Sequence, residues 1–321
     1  MAILMVSGPM IALYVFLGIL GALFLFYIFP TLLVSNVIYT VLFVRNKKDK
    51  WSRGLSWDNE EQQRMFDEGE VWGNENDKYR KTVSITSDKF KLVGEYFDFG
   101  NDKAVIIIAG RMEAGTYSYY FSDPYKKAGY NVLAIDNRSH GLSEGRYNTI
   151  GLKEYRDIIA WAKFLHDELG VKSIMIHGIC IGSATGLYAV IADNSPDYIK
   201  GLVADGMYLD FHESLDAHLV ERHKPKFPFT MEIMGLMSIV AGKSAKRNGP
   251  IRVIHKLKKP ILFIYSKEDT YSTHGQLLYD TCTAPKRIEW FDHGVHSHVR
   301  INAPEKYDAT IKKFLEDFIH E

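Results

Sequence analysis

The sequence predicts an α/β fold: a mostly parallel, doubly wound sheet with a small helical cap, preceded by an N-terminal transmembrane helix. Three observations carry that expectation. The chain opens on a long apolar stretch; short β-branched runs then alternate with helical patterns; and one of those runs ends in a glycine-flanked cysteine where the next helix starts.

From Met10 to Val44 no side chain ionises except the tyrosines. As a helix this stretch measures about 52 Å, against a hydrocarbon core of about 30 Å. Pro30 divides it into Met10–Phe29, long enough to cross a bilayer, and Thr31–Val44, about 21 Å if helical. One span followed by a kinked or interfacial continuation is expected. The start has no Lys or Arg and the stretch exceeds a signal-peptide core, which favours retention over cleavage. Arg45, Lys47, Lys48, Lys50 and Arg53 follow, so the positive-inside bias predicts a single-pass anchor in the cell membrane with the remaining domain in the cytoplasm. The expected division is anchor over 1–50, polar linker or helix over 51–81 (Trp57–Trp72 being acidic), and one α/β domain over 82–321.

With the anchor set aside roughly 270 residues remain, enough for one domain that buries a full-sized core. Lys81–Thr86 and Phe90–Phe97 alternate about Ser87-Asp88-Lys89 and read as a hairpin. Continuous apolar runs follow at Ala104–Ala109, Asn131–Ile135, Ser173–His177, Gly201–Ala204, Pro260–Tyr265 and Arg287–Phe291. Helical patterns fall at Tyr117–Ala128, Leu152–Leu169, Ser183–Asp193, Gly275–Cys282 and Pro304–Ile319. The segment from about 206 to 258 exceeds a βα loop and reads as a cap; its Phe227, Phe229, Met234 and Met237 either line an apolar pocket or pack the cap down.

Lys+Arg and Asp+Glu both number 39, which gives no electrostatic case for nucleic acid. Two cysteines, Cys180 and Cys282, are too few for a disulfide framework and suit a reducing compartment. Neither sits in a C-x-x-C pattern, and His293, His296 and His298 on one loop lack matching ligands elsewhere, so neither metal nor cofactor is expected.

After Ser173–His177 comes Gly178-Ile179-Cys180-Ile181-Gly182, then a small-residue helix start. A nucleophile there sits on a strained turn, and the helix N-terminus favours a thiolate. Ser183 lies one residue past the elbow. This G-x-C-x-G resembles the elbow of the α/β-hydrolase superfamily, usually G-x-S-x-G; its cysteine form is similar to that of dienelactone hydrolases and polyhydroxyalkanoate synthases, and the resemblance covers roughly residues 82–320.

The resemblance implies the chain order nucleophile, acid, histidine. Asp269 occupies the acid's place after Ile261–Tyr265, with Glu268 and Asp205 as competitors. In the loop after Arg287–Phe291, Gly-x-His-Ser picks out His296 over His293 and His298. The oxyanion donors implied are the backbone N–H groups of Ile181 and, after the first central strand, Arg111, with Met112 as neighbour; Ala109 departs from the family's His-Gly. Asp136–Ser143 resembles the superfamily's D-x-R-x-x-G-x-S loop, structural in role. The implied activity is acyl hydrolysis of the esterase or thioesterase type, on a small lipophilic acyl substrate, through an acyl-enzyme on Cys180. Acyl transfer, amide hydrolysis and a non-catalytic membrane-bound binding protein are the alternatives.

Overall fold

A computed structural model describes residues 8–54, 59–221 and 223–319; residues 1–7 of the charge-free start and Trp57 of the acidic segment lie outside this range. An eight-stranded sheet runs through the domain. Its strands are β1 (Arg80–Ser87), β2 (Phe90–Phe97), β3 (Lys103–Ile108), β4 (Asn131–Ile135), β5 (Ser173–Ile179), β6 (Ile199–Asp205), β7 (Ile261–Ser266) and β8 (Lys286–Phe291). The spatial order is β1-β2-β4-β3-β5-β6-β7-β8. β1 and β2 form an antiparallel hairpin with Ser87 opposite Phe90, β2 pairs antiparallel with β4, and the other strands are parallel.

Strands buried on both faces need apolar side chains on both, which is why β3 reads as a continuous run and is buried from Ala104 to Ile108. The chain passes from β3 to β4 on one side and later returns to β5 on the other. The loops after β3 and β5 therefore part at the switch of strand order, where open sheets of this kind place ligands.

Helices cover both faces. The predicted helix over Tyr117–Ala128 is instead a 3-10 segment, Gly115–Phe121, followed by a short helix, Asp123–Lys127. Pro124 explains the break: it lacks the N–H a continuing helix needs and sits in the new helix's first turn. The acidic segment forms a helix over Glu60–Glu75, its start capped by Asn59, whose side chain accepts from Gln62 N–H at 2.9 Å.

The N-terminal stretch is one helix from Gly8 to Phe43, long and apolar enough for a membrane anchor or a signal sequence. Pro30 does not divide it. A single wide turn, Phe24–Ile28, precedes the proline, and Phe29 N–H reaches back five residues to the Phe24 carbonyl, which absorbs the irregularity without ending the helix. Every residue from Gly8 to Pro30 is exposed, whereas Ser35, Tyr39 and Phe43 are buried in the domain. Glu232 on the cap helix Phe229–Ala241 accepts from Thr31 Oγ1 at 2.8 Å and Ser35 Oγ at 2.6 Å. Lys50 Nζ donates to the terminal carbonyls of Thr40, Val41 and Val44 and so closes the helix's C-terminus.

Candidate active site

The turn from β5 into the helix Ile181–Val190 holds Cys180 at φ 54°, ψ −114°, outside the regions L-residues ordinarily adopt. Its N–H is anchored to the Asp205 carbonyl on the neighbouring strand at 2.8 Å. Two glycines make the turn sterically feasible. A Cβ on Gly178 would meet the Gly182 backbone at 2.3 Å, and one on Gly182 would meet the Ile108 carbonyl oxygen at 2.1 Å. Ser183 Oγ is fully buried and donates to the carbonyls of Gly178 (2.6 Å) and Asp205 (2.9 Å), so its hydroxyl braces the elbow from below.

Cys180 is partly exposed and lines a 550 Å³ cavity together with His296, Ile181, Arg111, Met112, Tyr208, Phe211 and Tyr271. His296, from the loop after β8, places Nδ1 3.2 and 3.3 Å from the two carboxylate oxygens of Asp269, from the loop after β7. Its Nε2 has no hydrogen-bond partner among the described residues, and the ring interacts with the Cys180 thiol. Burial works against the charged imidazole, but Cys180 and Asp269 outweigh it and hold the imidazolium form well above the ordinary histidine range. Asp269 is itself buried and accepts the Tyr271 N–H at 2.8 Å; the Tyr271 ring stands edge-on to His296 at 4.7 Å.

The competing side chains are engaged elsewhere. Glu268 accepts from His293 Nδ1 and Gly294 N–H, both at 3.0 Å, on the exposed side of the loop. His298 Nδ1 pairs with Glu61 at 2.8 Å, so the three loop histidines face three different carboxylates. Asp205 is fully buried, with one oxygen accepting from Tyr307 OH at 2.7 Å and the other without a partner among the described residues; burial lifts its carboxyl up to about 7.

Two contributors had no signal in the sequence. Glu113 is buried beside the site, accepting from Gly110 N–H at 2.7 Å and Gln62 Nε2 at 2.9 Å, and burial raises its carboxyl to about 7. It fixes the loop after β3, where the Arg111 backbone lies. His140 Nε2 sits 2.6 Å from the Arg111 carbonyl and its ring stacks on Trp51 at 4.5 Å, so the loop Asp136–Ser143 steadies the same segment from behind. Asp136 holds that loop by accepting from Gly115 N–H and Leu142 N–H, each at 2.8 Å. In the cap, Met234 and Met237 are buried in the core and do not line the cavity, while Phe227 is exposed.

Comparison with known proteins agrees with the fold. A family described as alpha/beta hydrolase fold matches residues 103–231. The Bacillus subtilis (strain 168) uncharacterized protein YqkD is 29% identical over 205 residues, 63% of this chain; the chain spans 66% of that relative's length. Two crystal forms of the Pyrococcus furiosus esterase Pf2001 superpose with TM-scores of 0.64 and 0.61 at 24% and 25% identity, covering 77% of this chain and 94% and 96% of theirs. An alpha-beta hydrolase from Vibrio vulnificus is similar in fold, with a TM-score of 0.58 at 15% identity over 85% of this chain and 99% of its own. Strand order agrees with the family match over residues 103–231, and the chain has the α/β-hydrolase fold.

Proposed function

We propose that this chain is a membrane-anchored acyl hydrolase of the esterase or thioesterase type, working through Cys180, His296 and Asp269. The observation that carries the reading is the meeting of a strained elbow thiol with an imidazole whose far nitrogen is held by a buried carboxylate, beside a 550 Å³ cavity. The similarity to an esterase from Pyrococcus furiosus supports the reaction class.

In the proposed reaction His296 takes the Cys180 proton and the sulfur attacks the acyl carbonyl. The resulting oxyanion is received by the N–H of Ile181, in the first helical turn after the elbow, and by that of Arg111. Collapse expels the alcohol or thiol, which takes the proton from His296, and leaves a Cys180 thioester. Water, deprotonated by His296, then releases the acid and regenerates the thiol. Asp269 holds the ring in place.

The orientation proposed is an N-terminus outside and a cytoplasmic domain. Of the five cations after the helix, Lys50 caps it, Arg45 donates to the Gly141 and Ser143 carbonyls, and Arg53 pairs with Glu95 and Asp136. Lys47 and Lys48 remain exposed at the junction, where anionic headgroups would favour them.

A panel of acyl esters and thioesters of graded chain length, assayed with the full chain and with Cys180→Ala, tests the proposal. Turnover lost in Cys180→Ala supports it; the same turnover with and without the thiol, in folded protein, overturns it.

A further inference from the structure

If Cys180 acts on acyl esters as proposed, the shape around it also says how the acyl group arrives. We infer that one acyl chain of a bilayer-resident ester lies in a groove between the N-terminal helix and the cap helix Phe211–Glu221, its carbonyl end delivered to Cys180.

The groove is a 220 Å³ hollow with Val37 and Val41 of the N-terminal helix on one wall and Leu215 of the cap helix on the other. It is not isolated from the chemistry: Arg111, Phe211 and His218 line both this hollow and the cavity that holds Cys180. Its outer wall belongs to the same helix whose residues Gly8–Pro30 form a fully exposed apolar surface. Val37 and Val41 stay 62% and 59% exposed although the turn between them is buried at Tyr39, so the helix presents the groove side as an open apolar edge. An acyl chain can thus follow one apolar helix face from the hydrocarbon into the groove without crossing water. A peptide is a poor occupant, because its repeated backbone N–H and C=O groups need more partners than the three polar side chains of this lining, Arg111, His218 and Lys224, supply. A methylene chain needs none.

The test uses the full chain in phosphatidylcholine vesicles, with two readouts. In the first, Val37→Trp and Val41→Trp, each placing an indole in the groove from an exposed position, are assayed on a short and a sixteen-carbon acyl ester. The ratio of kcat/KM for long over short ester is expected to fall about tenfold in both, the discrimination that displacing two methylenes from an apolar wall produces; an unchanged ratio in both overturns the groove. In the second, Cys180→Ala is irradiated with a sixteen-carbon fatty acid carrying a diazirine near its end. Crosslinks on the cap helix between Phe211 and Leu219, removed by Val41→Trp, support the inference, and crosslinks confined to the N-terminal helix overturn it. The second readout needs no turnover, so an inactive enzyme that still crosslinks at the cap helix would refute the hydrolase reading while leaving the acyl groove standing.

Discussion

His296 and Asp269 meet through one ring nitrogen that lies almost equally far, 3.2 and 3.3 Å, from both carboxylate oxygens. Such a pairing fixes both the tautomer and the plane of the imidazole, and leaves Nε2 for the thiol. His296→Ala should therefore abolish ester turnover with the fold intact. Asp269→Asn should lower kcat by about a hundredfold or more, since the amide can donate to Nδ1 and select the wrong tautomer. Near-normal rates in His296→Ala together with loss in His293→Ala would move the base to the neighbouring histidine.

The two thiols should separate cleanly by alkylation. Cys180 is partly open to the cavity and faces His296, whereas Cys282 is buried and its thiol is pushed up by that burial. Mild iodoacetamide should inactivate in step with modification of Cys180 alone, as mass spectrometry of the peptides can follow. Cys180→Ser is expected to lose most of the activity, because a hydroxyl has no accessible anion near neutral pH. Inactivation that tracks Cys282 instead would contradict the assignment.

Close approach of helix and strand beneath the elbow makes Gly182 intolerant. Gly182→Ala drives a Cβ to 2.1 Å from the Ile108 oxygen, and should destabilise by about 3 kcal/mol or fail to fold. Gly235, on an exposed turn of the cap helix with nothing within 4 Å of its would-be Cβ, is the control. Gly235→Ala should stabilise by about 1 kcal/mol through helix propensity. Chemical denaturation of both variants measures the contrast, and equal effects would contradict the packing argument.

Asp205 sets a pH dependence of stability. Its carboxyl loses a proton near 3.8 in the unfolded chain and near about 7 when folded. Between those values the folded chain binds the extra proton, so stability falls as pH rises through the window and levels off above it. Asp205→Asn removes that fall while keeping an acceptor for Tyr307. The variant should match the parent near pH 4 and exceed it at pH 8 by about 4 kcal/mol at most. A gap of equal size at both pH values in thermal melts would show that the carboxyl's ionisation is not the cause.

Topology can be checked on intact cells. External protease should leave the domain uncut, and cleave it once the membrane is permeabilised. Efficient digestion from outside would reverse the orientation proposed from Lys47, Lys48 and their neighbours.

The parts of this molecule that chemistry arranges locally were legible in the sequence. The elbow at Cys180 announces itself because a strand, a turn and a helix are contiguous there, whereas strand position alone left Asp269 beside Glu268 and His296 beside His293, and the family resemblance made the choice. Glu113 and His140 announced nothing: their roles arise from Gln62, 51 positions away, and from a carbonyl 29 positions away, neither of which leaves a periodic trace. The sequence left open how the N-terminal helix continues past Pro30, and the structure carries it through to Phe43. A proline rule weighs the missing N–H, but a five-residue wide turn ahead of it can take up the mismatch. The basic cluster Arg45–Arg53 looked uniform in sequence, yet Arg45, Lys50 and Arg53 are structural fasteners and two lysines stay in solvent.

Those fasteners make the junction stiff. Between Thr31 and Lys50 the chain is gripped by Glu232, by the Lys50 cap and by Val44 bridged to Tyr147. The exposed portion from Gly8 to Pro30 would measure about 34 Å upright, slightly more than a typical hydrocarbon thickness, and such an excess is relieved by tilting. A flexible leash would let the domain ignore that tilt. In the proposed bilayer setting the helix would act as a lever arm, so the angle it takes in a thinner or thicker bilayer would become the angle at which the cavity mouth is presented to the lipid surface.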